Sequence, residues 1–218
     1  MALFIVATPI GNKDDLGFRA KEVLESAEYL ILEERKEGTQ ILRAHGITHR
    51  KMEFLNEHTT KEEVKVLAQL CKQHKVALIT DCGTPSFCDP GWQLVQVCRQ
   101  QGIETVAVPG ASSLMGLISL ASERLEQFYF RGFLSAENQR RQKDWEALTK
   151  QKSPIVIMDT PYRFEKTLTE LTQHFPQRKI LLVCNLTAEN EQILEGKIKD
   201  ILPLVKEKKS EFMILIYT

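Results

Sequence analysis

Two stretches of the sequence carry side chains of the types that move protons. Residues 81–91 follow an apolar run and combine the acids Asp81 and Asp89 with Gly, Thr, Ser and Pro. Glu57 and His58 are neighbours in an irregular, polar stretch after a short apolar segment. A carboxylate beside an imidazole can accept a proton near neutral pH, which makes the pair a candidate general base. Taken alone, such a pair is more often an ordinary part of a surface loop.

Three loops that follow predicted strands combine Pro with Gly, at residues 8–12, 81–91 and 109–113. Pro stiffens the chain, and Gly lets a ligand approach the backbone. Because ligands of open α/β sheets lie outside the carboxyl ends of the strands, these loops together predict a rigid pocket built largely of backbone. None of them has the dinucleotide-binding or P-loop pattern, so the loops do not predict a nucleotide phosphate as the ligand.

The elements that must position these loops can be read from the apolar patterns. Runs rich in β-branched residues predict strands at residues 3–8, 29–32, 76–80, 105–108, 128–130, 155–158, 180–184 and 212–217. Helical patterns lie between many of them. Thr60 and Glu63 have the spacing of a capping box at a helix start, and Gly102 closes a helix that begins near Trp92. This alternation predicts the α/β class.

The chain is predicted to form two domains. We place the boundary at the loop that leaves the fifth strand, which gives an N-terminal α/β domain over residues 1–110 and a C-terminal α/β domain over residues 111–218. Within the second domain, residues 135–152 are hydrophilic, with Trp145 and Leu148 as their large apolar side chains. This composition predicts a solvent-facing helix.

Composition excludes several classes of protein. Lys plus Arg and Asp plus Glu each number 29, so no global field attracts the chain to nucleic acid or to an anionic membrane. The five cysteines contain no C-x-x-C pair. His45 and His49 have the spacing of helical metal ligands, but Gly46 between them reads as a helix stop and places them on a turn. No metal site is therefore predicted. No apolar run approaches the ~20 residues of a membrane span, and the N-terminus lacks a signal-peptide pattern. We therefore expect a cytoplasmic protein without a membrane anchor.

Three sequence motifs together resemble a known family. L-F-I-V-A-T-P-I-G-N near the start, D-C-G-T-P-S-F-C-D-P-G in the middle and V-P-G-A-S-S after the fifth strand are similar to those of the tetrapyrrole methylase-like family, the class III S-adenosylmethionine (SAM) methyltransferases. Within it, the resemblance is greatest to bacterial enzymes that methylate a cytidine ribose 2'-oxygen in small-subunit ribosomal RNA. It runs from Leu3 to about Ile216 and includes R-G-F-L at residues 131–134.

The resemblance implies two α/β domains with SAM in the cleft between them, within a homodimer. The N-terminal domain would supply both the acceptor loops and the SAM loops, and the C-terminal domain would complete the pocket. Carried over by position, the residues that contact SAM are Pro9, Asp81, Cys82, Gly83, Phe87, Ser112, Met158 and Leu186.

The acceptor motifs depart from the family pattern. Residues 33–36 read E-E-R-K where relatives commonly have E-D-T-R, and residues 56–59 read N-E-H-T where relatives have H-E-H-N. Glu33, Glu57 and His58 are retained, and the resemblance implies Glu57 and His58 as base and orienter, with Glu33 or Asp89 as alternatives. Relatives also continue past the final strand into a small helical region, whereas this sequence ends at Thr218.

Three functions follow as hypotheses. The first is SAM-dependent 2'-O-methylation of a ribose in ribosomal RNA, the second is methylation of a tetrapyrrole or another small molecule, and the third is SAM binding without turnover. The first would use a basic rim for phosphates, for which the candidates are Lys13, Arg19, Arg35, Lys36, Arg140, Arg141 and Lys143. The alternative interpretation of those residues is a set of solvated helix faces.

Overall fold

A computed structural model describes residues 1–48 and 51–218 of the protein. The chain divides into two compact units, Met1–Ser112 and Ser113–Thr218. The division falls two residues after the boundary placed from the sequence. What each half contributes to a ligand site remains a prediction.

The first unit alternates strands and helices around a parallel sheet. Its elements are β1 (Ala2–Val6), α1 (Phe18–Ser26), β2 (Tyr29–Leu32), α2 (Arg35–Ala44), β3 (Met52–Phe54), α3 (Lys61–Gln73), β4 (Lys75–Leu78), α4 (Trp92–Gln100) and β5 (Glu104–Val108), with a short 3-10 helix at Lys13–Asp15. The strand order is β3-β2-β4-β1-β5, and each neighbouring pair is parallel. The carboxyl ends of all five strands therefore meet at one edge. The three-residue β3 was missed, because it is too short to show a pattern.

Both faces of this sheet are buried. Ile31 of β2 packs into one apolar layer with residues of α3 and α4, whereas its neighbours Leu30 and Leu32 pack into the opposite layer with residues of α1 and α2. A strand covered on both faces needs no polar positions, which is why the predicted strands read as continuous apolar runs.

The predicted helix boundaries in this unit are confirmed. The Thr60 hydroxyl accepts the backbone N–H of Glu63 at 3.3 Å, and the Glu63 carboxylate accepts the backbone N–H of Thr60 at 2.7 Å. These two bonds form the capping box that starts α3. After α4 the chain turns at Gly102, whose φ of +69° lies in the left-handed region that favours glycine.

The second unit contains a mixed sheet. Its elements are α5 (Ser113–Ser119), β6 (Tyr129–Phe133), α6 (Asn138–Thr149), β7 (Ile155–Asp159), α7 (Phe164–His174), β8 (Lys179–Cys184), β9 (Gln192–Lys197), α8 (Ile198–Ile201) and β10 (Phe212–Ile216), with 3-10 helices at Pro161–Arg163 and Leu202–Leu204. The order is β6-β7-β10-β8-β9, with β10 antiparallel to both of its neighbours. The hydrophilic β9 was not predicted, because it has few apolar residues and no buried position.

The prediction that α6 faces solvent is wrong for one side of the helix. Trp145 and Leu148 are buried in the core of the second unit. Arg141, which the sequence suggested for a basic rim, is 1% exposed, and its guanidinium contacts the carboxylates of Asp159 at 2.6 Å and Glu170 at 2.7 Å. A buried arginine is tolerated here because two acids from other elements neutralise and hydrogen-bond it.

The structure describes all five cysteines, and each is a free thiol. Cys71, Cys98 and Cys184 are buried, while Cys82 and Cys88 are exposed. Across residues 1–48 and 51–218, no three His, Cys, Asp or Glu side chains form a group that could hold a metal ion. His49 lies outside the described residues, so the expectation for His45 and His49 stays a prediction. None of the helices that the structure describes is long and apolar enough to cross a membrane.

Candidate functional site

The three Pro- and Gly-containing loops lie together at the carboxyl edge of the first sheet. Thr8, just after β1, and Gly83, after β4, exchange two backbone hydrogen bonds of 2.8 Å and 3.1 Å. The Thr84 hydroxyl donates to the backbone oxygen of Ala111, in the loop after β5, at 3.2 Å. The grouping that the sequence predicted is therefore a fact of the structure, and Pro9 and Ser112 adjoin these contacts in the chain.

Gly83 packs between the loops that follow β1 and β5. Its φ is +74°, and a Cβ built on it would lie 3.4 Å from Cγ2 of Ile10 and 4.0 Å from the backbone oxygen of Ala111. A Cβ here would contact Ile10, and the backbone conformation itself favours glycine. Its neighbour Cys82 and the nearby Phe87 are both exposed. This arrangement suits a ligand that is contacted by backbone and by a few apolar groups.

The same loop holds several residues in unfavourable backbone conformations. Ser86 and Cys88 have φ values of 72° and 63°. Gly91 has a φ of +127°, and a Cβ there would lie 2.7 Å from Oγ of Ser86. Such conformations cost of order 1–3 kcal/mol each for residues with side chains, and they persist where the surroundings impose them. Close packing at Gly91 is one such constraint on this loop.

Beside this loop lies a pocket of about 370 Å³ with acidic walls. Side chains from just after β2 and β3, from the long loop between β4 and α4, and from the start of α4 line it. They are Glu33, Glu34, Asn56, Glu57, His58, Cys88, Asp89, Pro90, Trp92 and Gln93. The structure thus brings together all three predicted catalytic residues and the alternative, Asp89.

Glu33 and Asp81 are connected through backbone hydrogen bonds. The N–H of Asp81 donates to Oε2 of Glu33, and the N–H of Glu34 donates to Oδ1 of Asp81, both at 3.3 Å. Burial raises the pKa of Glu33, and the charges of Asp81 and Asp89 raise it further, against the lowering effect of the Asp81 N–H. The resulting pKa is about 7.

Two further carboxyl groups of this cluster are shifted in the same direction. Burial and the charge of Asp81 raise the pKa of Asp89 to about 6. The pKa of Asp81 is also raised, chiefly by burial. A half-buried acid with a pKa near 7 can accept a proton at neutral pH, which is the property expected of a general base.

Glu57 and His58 lie at the open side of the pocket. Their side chains are 82% and 84% exposed, and Oε1 of Glu57 lies 3.6 Å from Nε2 of His58. The Asn56 carboxamide oxygen accepts the backbone N–H of His58 at 3.0 Å, which fixes the turn between β3 and α3. The pair is thus close to Glu33 in the fold, but in a far more solvated environment.

The two predicted cofactor contacts of the second unit lie on one face of its sheet. Met158 is the fourth of the five residues of β7, Leu186 follows β8, and both pack partly buried against the apolar layer that includes Leu181 and Leu215. A Cβ at Gly116 would lie 2.6 Å from Cδ2 of Leu186, so α5 approaches that side chain closely.

Residues of the predicted basic rim differ in their surroundings. Arg19 donates from Nη2 to the backbone oxygen of Ala107 at 2.7 Å, and the Arg35 guanidinium lies 4.9 Å from the centre of the Phe54 ring. The Lys36 side chain is largely exposed. Arg35 and Lys36 are the first two residues of α2, directly after Glu33 and Glu34 in the chain.

Six residues that line the pocket carried no functional prediction of their own, and Glu34, Cys88 and Pro90 are three of them. The other three are Asn56, Trp92 and Gln93. A signal was present for Trp92, because it directly follows the long loop that the sequence predicted to line a ligand site.

Solved structures of several methyltransferases share this fold. Uroporphyrin-III C-methyltransferase from Thermus thermophilus, complexed with S-adenosylhomocysteine, matches with a TM-score of 0.67 at 15% identity over 100% of this chain and 97% of that chain. Diphthine synthase matches with a TM-score of 0.74 at 14% identity over 100% and 90% of the two chains. At these identities the likeness concerns the fold.

Several curated relatives are considerably more similar to this chain in sequence than those solved structures are. Ribosomal RNA small subunit methyltransferase I of Neisseria meningitidis serogroup B is 33% identical over 99% of this chain and 75% of the relative. The protein of the same name from Thermotoga maritima is 30% identical over 95% of this chain and 93% of the relative. Residues 2–202 match the family Tetrapyrrole (Corrin/Porphyrin) Methylases. The chain therefore belongs to the tetrapyrrole methylase family and is an S-adenosylmethionine-dependent methyltransferase.

Proposed function

We propose that the protein transfers a methyl group from SAM to the 2'-oxygen of a ribose in small-subunit ribosomal RNA. The observation that carries this proposal is the similarity, at 30–33% identity over nearly the whole chain, to relatives named ribosomal RNA small subunit methyltransferase I. The acidic pocket supports it, because a hydroxyl acceptor needs a group that takes its proton. No comparable observation favours a tetrapyrrole acceptor, since the likeness to uroporphyrin enzymes is one of fold.

Glu33 is the residue that we assign as proton acceptor. SAM, when bound, supplies a methyl group on a sulfonium, and the ribose oxygen forms its bond to that carbon as the carbon–sulfur bond breaks. The hydroxyl proton passes to the Glu33 carboxylate, whose pKa of about 7 matches a reaction at neutral pH. The Asp81 N–H holds this carboxylate in place.

Glu57 and His58 take a different role in this proposal. Their exposure leaves them in contact with water, so we assign them to orienting the acceptor ribose at the open side of the pocket. The charges of Arg35 and Lys36 can hold the flanking phosphates outside the acidic walls. In this proposal Glu33 accepts the proton, while Glu57 and His58 orient the acceptor ribose.

The SAM site that we propose uses the residues carried over from the family. Gly83 and the backbone beside Pro9, Asp81, Cys82 and Phe87 would contact the cofactor in the first unit, with Ser112 nearby. Met158 and Leu186 would contribute from the second unit. The support for the first group is the contact between these loops at the carboxyl edge of the first sheet, where Gly83 and Thr8 exchange backbone hydrogen bonds.

The family resemblance also leads us to propose a homodimer. Sedimentation-velocity analysis of the purified protein tests this, and a single monomeric species at micromolar concentration would contradict it. Methylation of ribosomal RNA would in turn place the protein in the cytoplasm of a bacterium, where ribosomes assemble.

Mapping of ribose methylation in ribosomal RNA tests the proposed function directly. We expect one methylated nucleotide in small-subunit RNA from cells that have the gene, and its loss on deletion. Restoration by a plasmid-borne wild-type gene, but not by the Glu33→Gln variant, would connect the modification to this site. An unchanged methylation map after deletion would contradict the proposal.

A further inference from the structure

Trp92 stands on the wall of the acidic pocket with much of its ring open to solvent. It is the first residue of α4 and is 56% exposed, whereas Leu94 and Cys98 of the same helix are buried in the core. The core packing of α4 therefore relies on other residues. A large aromatic ring exposed on the wall of a pocket is a surface on which a flat group can stack.

The position of this ring is fixed by the loop before it. Gly91 precedes Trp92, and its φ of +127° is a conformation that side chains rarely adopt. The space beside its α-carbon is filled, since a Cβ would lie 2.7 Å from Ser86 and 2.9 Å from Leu78. The chain direction at the start of α4 is therefore set by close packing.

The charge of the pocket restricts what can stack there. Four carboxyl groups, those of Glu33, Glu34, Glu57 and Asp89, line it beside a single imidazole. A phosphate would be repelled by these groups. An uncharged ring that carries N–H donors would instead find carboxylate acceptors, as the amino group of a base does in other complexes.

Two amide side chains add hydrogen-bonding capacity. The carboxamide oxygen of Asn56 accepts the backbone N–H of His58. The NH₂ group of the same side chain is a hydrogen-bond donor. Gln93 follows Trp92 and lines the same pocket. Together with the carboxylates, these amides offer both donors and acceptors around a stacked ring.

We propose that Trp92 is the stacking platform for the nucleobase of the acceptor nucleotide, which enters the acidic pocket unpaired. This inference rests on the proposed function, because it assigns the base that belongs to the methylated ribose. Single-stranded RNA is commonly bound in this way, with unstacked bases placed on aromatic side chains. Stacking the base on Trp92 brings the attached ribose into the pocket that contains Glu33.

The intrinsic fluorescence of the protein isolates this contact. The chain has two tryptophans, Trp92 and Trp145, and the second is 1% exposed in the core of the other unit. Quenching by an added oligonucleotide therefore reports on Trp92. We expect hexacytidylate to quench the emission, and a hexamer of abasic ribose phosphates, which has the same charge, to leave it unchanged.

Two variants separate stacking from other contacts. Trp92→Phe keeps an aromatic face, and it should bind fluorescently labelled hexacytidylate within about threefold of wild type while losing the quenching signal. Trp92→Ala should bind the labelled hexamer about tenfold more weakly, as is typical for loss of one base–aromatic contact. SAM affinity by calorimetry should be unchanged in both variants, which shows that the fold is retained.

The outcomes distinguish this inference from the function on which it rests. If ribosomal RNA is methylated and Trp92→Ala binds and methylates RNA like wild type, the platform is wrong and the function stands. If deletion leaves the methylation map unchanged but hexacytidylate still quenches Trp92, the function is wrong and the base site stands. Equal quenching by the abasic hexamer would overturn the platform, because it would show that the backbone alone causes the signal.

Discussion

The backbone N–H of Asp81 donates a hydrogen bond of 3.3 Å to Oε2 of Glu33, across 48 residues of sequence. The bond joins the end of β2 to the end of β4, two neighbouring strands of the first sheet. It orients a carboxyl group whose pKa is raised to about 7 by burial and by nearby acids. A restrained, half-buried acid at a strand end is the arrangement on which the proposed proton transfer depends.

Glu33→Gln should lower single-turnover methyl transfer by about 10²-fold to 10⁴-fold, the usual contribution of a general base. SAM affinity should be unchanged, because glutamine has nearly the same size and keeps an oxygen to accept the Asp81 N–H. Rapid-quench assays with tritiated SAM measure the rate. Glu53→Gln, at an exposed position of β3, is the matched control and should react like wild type. A loss below about tenfold at Glu33 would assign the base elsewhere.

The pH dependence of the same reaction should report the ionisation of Glu33. Because the carboxylate is the active form, the single-turnover rate should rise with pH and reach half its maximum near pH 7. Asp89→Asn removes a negative charge that raises the pKa of Glu33, so the midpoint should move to lower pH. A midpoint that stays in place in Asp89→Asn would show that Asp89 does not act on the titrating group.

Glu57→Gln and His58→Ala should each lower methyl transfer, but by less than Glu33→Gln. Both side chains are more than four-fifths exposed, so water can replace part of what they contribute. We expect reductions of about threefold to tenfold, below the range of a general base, with SAM affinity maintained. Losses as large as that of Glu33→Gln would instead make the pair the base and orienter that the sequence first suggested.

Gly83→Ala should weaken SAM binding by about tenfold or more, which corresponds to about 1.4 kcal/mol of binding free energy. Gly102→Ala is a close control, because Gly102 has a similar φ of +69° but open space where the Cβ would be. Both variants should lose about 1–2 kcal/mol of stability from left-handed strain. Calorimetry with SAM should then separate them. Equal SAM affinity in the two variants would exclude Gly83 from the cofactor site.

Arg141→Met should destabilise the protein by about 3 kcal/mol, the low end for a broken buried ion pair, because Glu170 and the buried Asp159 lose their shared cation while Asp159 keeps its ion pair with Arg163. Arg140→Met, at the next position, breaks an exposed ion pair with Glu137 and should cost at most about 1 kcal/mol. Urea denaturation of the two variants provides the comparison. Similar stabilities would show that the buried ion pairs contribute little.

Local pattern and turn chemistry were sufficient for much of the fold. The predicted strands, the capping box at Thr60 and the stop at Gly102 all depend on neighbouring residues, so one sequence suffices to find them. The three strand-end loops could be recognised together because Pro and Gly have local conformational effects. These local rules say nothing about the SAM contacts, which the family resemblance alone implies.

Tertiary structure decided which polar residues meet and how buried they are. Nothing near Arg141 in the sequence indicates that Asp159 and Glu170 will surround it, so local composition alone predicts a solvent-facing helix. Glu33 and Asp81 come together because β2 and β4 are neighbours in the sheet, and the raised pKa of Glu33 follows from that burial. Types of residue and local conformation are properties of the sequence, whereas desolvation and long-range charge contacts exist only once the chain has folded.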